Sequence, residues 1–188
     1  MSFPKIQLYN RFHNDIGCDC KMTVGGTDFL IEEPQPFDQK WFSHKFKHAA
    51  LRYEIAVNIK TGWIVWVNGP FAAGSYDDLT IFRSALLQEL MPGERVETEQ
   101  GYRGEIACSR PSDYVTDEEK WMKSKAMARH ENINGRLKRF NILTHRYRGD
   151  RNRHGDFVRA IAAIVQFDIR SGFGVYQVHY NIMRVNHT

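Results

Sequence analysis

The chain has 188 residues, enough for one sizeable core at roughly 100–200 residues per domain. A composition of 42% hydrophobic and 26% charged residues argues against disorder, and no apolar run reaches the roughly 20 residues of a membrane-spanning helix. The net charge of +4 permits a nucleic-acid partner without requiring one.

Residues 1–19 carry little pattern and read as an irregular lead-in; residues 20–182 form the one expected domain, and 183–188 a tail. Cys20 to Ile31 alternates, with Met22 and Val24 on one side and Lys21 and Thr23 on the other, which predicts a strand. Pro34 and Pro36 end it, and the aromatic, basic stretch 35–48 reads as a loop. Leu51–Asn58 and Trp63–Asn68 are predicted strands joined through Lys60-Thr61-Gly62, a hairpin signal. An amphipathic run, Leu79–Leu90, follows Asp78, the expected N-cap, and stops at Pro92-Gly93. Arg95–Glu99 fits a short strand, and 103–115 a loop. Thr116 opens the longest predicted helix, to about Asn141, with Glu119 spaced as its capping-box partner. A second helix is expected from Asp156 to about Ile169, closed by Gly172 and Gly174 and followed by an extended Val175–Tyr180. Strands followed by helices in this order suit an α/β sheet with helices packed on it.

Met1-Ser2-Phe3-Pro4-Lys5 lacks the apolar core of a secretory signal, so the expected setting is intracellular. Cys18, Cys20 and Cys108 then read as reduced thiols, and the spacing of the first two is too tight for a zinc knuckle. The stretch Lys120 to Arg153 is crowded with cations: Lys120, Lys123, Lys125, Arg129, Arg136, Lys138, Arg139, Arg146, Arg148, Arg151 and Arg153. The expected nucleic-acid contacts are Arg129, Arg136, Lys138, Arg139, Arg146, Arg148, Arg151 and Arg153, with Phe140, His145 and Tyr147 interleaved. His130, His145 and His154 have no recognisable nucleophile beside them and read as helix-surface or capping histidines.

Four stretches stand out in order: Thr23-Val24-Gly25-Gly26-Thr27; Asn68-Gly69-Pro70 with Gly74-Ser75-Tyr76-Asp77-Asp78 and Ile81-Phe82-Arg83; Glu99-Gln100-Gly101-Tyr102-Arg103-Gly104; and Ala128 to Phe140. Over about residues 20–180 they resemble, in that order, the DDE superfamily endonucleases of Harbinger-type and related transposases. The first is similar to a family strand reading V-D-G-T, the third to D-x-G-Y-R-G, and the last to R-x-E-x-x-N-x-R-x-K-x-F. The resemblance implies an RNase H-like α/β fold, a mixed sheet of about five strands flanked by helices. It also implies cleavage and transfer of DNA strands by two divalent ions, Mg or Mn, on three acids.

Glu131 stands at the third acidic position. At 100° per residue Met122, Ala126, Ile133, Leu137 and Phe140 form one stripe, and Glu131 falls nearly opposite with Lys120, Ser124, Met127 and Lys138. The second position holds Glu99 in place of Asp; its extra methylene moves the carboxylate by about 1.5 Å, and about 1 Å of misplacement can cost about 100-fold. Glu97 shares its strand parity. The first position is Gly25, which has no side chain. Asp28 is the nearest acid, but three residues along a strand it faces the other way unless a bulge at Gly25-Gly26 turns it.

Two readings follow. In the preferred one this is a transposase-derived DDE endonuclease-like domain without catalysis, used as a nucleic-acid-binding or structural/interaction module, with DNA or RNA as partner and an acidic protein as the alternative. In the other it is an active, divergent Mg-dependent nuclease or transposase in which Asp28, Glu99 and Glu131 converge. Neither needs a membrane or a small-molecule substrate, and the resemblance favours the nucleus.

Overall fold

Alternating β-formers from Cys20 onward make the centre of a six-stranded mixed sheet in the computed structural model, which describes residues 5–182. β1 (Cys20–Leu30) pairs antiparallel with β3 (His48–Asn58), and β3 pairs antiparallel with β4 (Ile64–Ala72). Along its other edge β1 runs parallel to β5 (Arg95–Glu97), and β5 parallel to β6 (Cys108–Ser109). β2 (Phe42–Ser43) pairs with the first two residues of β3. Helices cover both faces, as in an RNase H-like fold.

Strand parity sorts the side chains into two layers. Tyr53, Ile55 and Val57 of β3, with Phe29, meet Ile133 and Leu137 of α2 (Asp117–Leu137) and Val158, Ala162 and Val165 of α4 (Arg151–Arg170). Met22, Val24 and Ala56 meet Phe82 of α1 (Asp78–Ser84), and Leu86, Val96 and Tyr102, on the other face. α2 starts where its capping box lies: Thr116 Oγ1 accepts from Glu119 N at 3.2 Å, and the Glu119 carboxylate accepts from Thr116 N at 3.2 Å. A short α3 (Asn141–Thr144) follows it.

Several boundaries differ from expectation for local reasons. Asp77, not Asp78, caps α1, accepting from Thr80 N at 2.6 Å. The run to Leu90 breaks at Ala85 into a 3-10 turn, Leu86–Glu89, which turns Leu86 into the core. α4 begins at Arg151 because Asp150 accepts from Asn152 N at 2.9 Å. The two stretches read as loops hold β2 and β6, each of two residues and too short to show a period. The lead-in contains a 3-10 turn, Leu8–Phe12, tied down by Arg11 Nε on Glu94 Oε1 at 2.7 Å. After α4 an extended strap buries Val175, Val178, Tyr180 and Ile182 without joining the sheet. The expected tail, 183–188, lies outside the described residues.

His154 is no surface or capping residue: it is fully buried in α4, and its Nδ1 shares a 2.7 Å hydrogen bond with the Tyr53 hydroxyl. His145 alone matches that expectation, exposed with Nδ1 3.3 Å from Asn141 O.

Two outcomes are expected. Ile133→Ala, at a fully buried position, should cost roughly 2–5 kcal/mol in denaturant unfolding, against under about 0.5 kcal/mol for Asn132→Ala on the exposed face. Burial lowers the pKa of His154 to about 4, so as pH falls the unfolded chain takes up this proton first. The stability owed to its neutral ring is complete above about pH 6.5 and is lost on descent toward pH 4. Unfolding free energies measured across that window should fall less steeply in His154→Gln.

Candidate functional site

Thr23 of β1 stands opposite Glu97 of β5 in the parallel ladder, and two residues further along each chain are Gly25 and Glu99. Glu99 is exposed and precedes a 3-10 turn, Gln100–Tyr102. Glu131 is exposed on α2, and the two carboxylates line one groove of about 590 Å³ with Thr98, Gln100, Lys120, Ser124 and Met127. The positions that the resemblance assigns to three acids are therefore gathered at one end of β1, under α2.

A buried network holds α2 at this height. Lys123 is 3% exposed and donates to the carbonyls of Thr98 and Ser109, at 2.7 and 2.9 Å, and to the Glu97 carboxylate. Tyr114 and Tyr180 also donate to Glu97. Burial, reinforced by Cys20 and Glu97, raises both phenols, so they stay protonated donors. Glu97 is thus enclosed by its own partners and is no candidate for the groove.

His130 packs against Gly25. It is 1% exposed, where the sequence suggested a surface or capping role. Its position, four after Ala126 and three before Ile133, is that of the inner stripe. The Thr23 hydroxyl donates to Val57 O at 3.3 Å and accepts from His130 Nδ1 at 2.9 Å. That leaves Nε2 as a bare acceptor, with no hydrogen-bond partner, 3.1 Å from where a Cβ on residue 25 would stand. Burial, only partly opposed by Glu131, lowers its pKa to about 4, so the ring is neutral near pH 7.

Asp28 does not join this group. The β1–β3 ladder runs from Met22 to Leu30 without a bulge at Gly25-Gly26, so Asp28 keeps the parity of Met22 and Val24 and faces α1. There it accepts from Arg52 Nε at 2.8 Å, from the second Arg52 donor at 3.0 Å, and from Ser43 Oγ at 2.6 Å. Among the described residues no three His, Cys, Asp or Glu side chains are gathered to hold a metal. The donors left in the groove, two glutamates, do not fit a pair of divalent ions.

The basic residues divide. Arg129 is 1% exposed and donates to the carbonyls of Asn58 at 3.2 Å, of Ile59, and of Tyr176 at 3.4 Å, with its pKa lowered to about 10 by burial. It clamps the hairpin and the C-terminal strap and faces no outside partner. Arg136 holds the same strap, donating to Phe173 O at 2.6 Å and Gly174 O at 3.0 Å. Lys138 lies partly buried between the Phe29 and Phe46 rings, 5.8 and 5.4 Å from their centroids. Arg139, Arg146, Arg148, Arg151 and Arg153 are exposed; Arg148 reaches Glu32 at 3.3 Å, and Arg151 stacks 4.8 Å over Trp41.

The profile of a family described as DDE superfamily endonuclease matches residues 24–166. The chain is 26% identical over 157 residues to a protein named probable transposase for insertion sequence element IS702, from Microchaete diplosiphon. That alignment covers 76% of this chain and 55% of the relative, so the chain spans about half the length of the protein it matches. No solved structure matches.

Gly25→Asp tests the placement of His130. A carboxylate beside Nε2 favours the charged imidazole, so the His130 pKa should rise by about one unit or more from about 4. Ring-proton NMR titration measures it, with Gly25→Asn as the neutral control; equal values in the two variants would place His130 elsewhere.

Proposed function

The chain belongs to the DDE superfamily endonucleases, and from that premise we propose that it is a transposase-derived domain that binds nucleic acid but has lost two-metal strand cleavage. The observation that carries the reading is the bare position 25. Enzymes of this superfamily generally use divalent metals, and hard ions such as Mg²⁺ and Mn²⁺ need oxygen donors. Here the strand position level with Glu99 offers none, and the nearest acid is held by Arg52 on the far face of the sheet. The residue that borders the gap is a neutral imidazole.

Binding rests on the outward arginines. Arg139, Arg146, Arg148, Arg151 and Arg153 cover the turn between α2 and α4 and the start of α4, and their guanidinium groups suit bidentate contact with phosphate. Arg129 and Arg136 are occupied by backbone carbonyls and support the fold of that surface from beneath. DNA is the favoured partner because of the family, and the likeness to a probable transposase supports it.

Binding of a fluorescent DNA duplex over a range of salt tests the reading, with single-stranded RNA and an acidic peptide as competing ligands. The triple variant Arg146→Ala/Arg148→Ala/Arg153→Ala should bind more weakly. Its plot of log K against log salt should be flatter by about 0.9 for each phosphate no longer neutralised. Tighter binding of the RNA or the peptide than of DNA would reassign the partner. In Mg²⁺ or Mn²⁺ neither the parent nor Glu131→Gln should cut DNA. Cleavage by the parent that disappears in Glu131→Gln would overturn the loss of catalysis.

A further inference from the structure

Three aromatic rings that the core does not use lie along the outer side of α2. Phe173 is 73% exposed, Trp121 53% and Tyr176 45%. Trp121, Lys125, Asn132 and Arg136 fall within about 60° of one another at 100° per residue, so they form one stripe on the helix. The C-terminal strap runs back beside this stripe. Arg136 donates to the carbonyls of Phe173 and Gly174, Arg129 to that of Tyr176, and the Tyr176 hydroxyl to Lys125 O at 3.0 Å. Backbone contacts, not ring burial, therefore set where Phe173 and Tyr176 stand. At the far end Phe173 lines a groove of about 670 Å³ with Arg136, Arg139, Phe140, Val165 and Asp168. Single apolar residues on a surface are ordinary, but three large rings in a row beside cations mark an interaction surface.

The neighbouring charges say which partner fits. Lys125 holds its Nζ 5.6 Å from the Trp121 ring centroid, and Arg139 is exposed at the groove, where two guanidinium groups oppose the single carboxylate of Asp168. The acids of α2 lie in its first turn, before Trp121, or at Glu131, off the stripe. Cations set among exposed rings match the needs of an unpaired strand, whose phosphates want neutralising and whose bases want a stacking face. A duplex cannot use the rings in this way, because its bases already stack on one another. From Trp121 to Arg136 the stripe spans about 22 Å at 1.5 Å per residue, which suits about four nucleotides, the low end of single-strand site sizes. Arg139 also belongs to the outward arginines, so the stripe is continuous with the surface assigned to DNA. We propose that the stripe binds single-stranded DNA, with bases stacked on Phe173, Tyr176 and Trp121 and phosphates on Lys125 and Arg139. The choice of DNA over RNA rests on the reading above; the strandedness rests on the rings alone.

Fluorescence anisotropy with an oligothymidine, a blunt duplex and the same duplex carrying an oligothymidine overhang tests it. The overhang should tighten binding by about tenfold, which one stacked base can supply. Phe173→Leu and Trp121→Leu should each lose most of that gain while binding the blunt duplex as the parent does. Phe173→Tyr, which keeps a ring, should retain it. These side chains are exposed, so the variants should fold. Arg146→Ala/Arg148→Ala/Arg153→Ala should bind the blunt duplex more weakly and keep the gain. Tryptophan emission should fall as the oligothymidine is added, and fall less in Trp121→Leu. Blunt-duplex binding with no gain from the overhang would overturn this proposal and leave the arginine surface standing. Oligothymidine binding without duplex binding would support the stripe and overturn the arginine surface. A gain that survives both leucine variants, or tighter binding of oligouridine than of oligothymidine, would overturn the proposal.

Discussion

The site depends on one buried ion pair. Lys123 reaches from α2 into the sheet and meets the Glu97 carboxylate and the carbonyls of Thr98 and Ser109 at once. Removing either partner from such a pair leaves an uncompensated buried charge, which costs several kcal/mol, so the registry of α2 against β5 is specified strongly. Tyr114 and Tyr180 complete the shell around Glu97, and Tyr180 arrives on the C-terminal strap. The strap is in turn held by Arg129 and Arg136. Helix, sheet and strap are thereby joined beneath the groove, and Glu99 and Glu131 take their positions from that joint.

That rigidity explains why the neighbouring acids cannot stand in for the one missing at position 25. Glu97 is closest along the chain to Glu99, but its oxygens are consumed in holding α2. Asp28 is closest along β1, but an unbroken ladder with β3 keeps it on the α1 face with Arg52. Bringing either into the groove would mean unpairing the buried Lys123 or the half-buried Arg52. The groove is left with two glutamates, and the neutral ring of His130 lies buried against Gly25.

Much of this was legible in the sequence, and the gaps have physical causes. The 3.6 period of α2 and its Thr116–Glu119 box placed the helix to within a few residues, because both signals are local. Strand parity correctly set Asp28 against Gly25. Arg129 and His130 were misjudged because a charged or titratable residue reads as exposed, whereas backbone carbonyls satisfy one and Thr23 orients the other. Spacing alone would have flagged His130, which follows the inner positions of its helix. The Lys123–Glu97 pair left no sequence signal, since it joins residues 26 apart through tertiary packing. β2 and β6 escaped because two residues cannot display a period.

The adjacent glycines of β1 carry different meanings. A Cβ at Gly26 would meet the end of the Asp78 side chain, which is partly exposed and would have to swing aside. Gly25 meets a buried ring instead. Its backbone is ordinary strand, without the positive φ that favours glycine, and a Cβ would stand 3.1 Å from the end of a histidine ring, a conflict relieved by a shift of a few tenths of an ångström. A side chain at position 25 therefore requires His130, buried and tied to Thr23, to give by that amount, and the ring nitrogen that faces it presents a lone pair ready to meet a donor or a cation. Set against the acidic pattern that the family resemblance implies, the groove departs at two positions, Gly25 and Glu99, and keeps the third, Glu131.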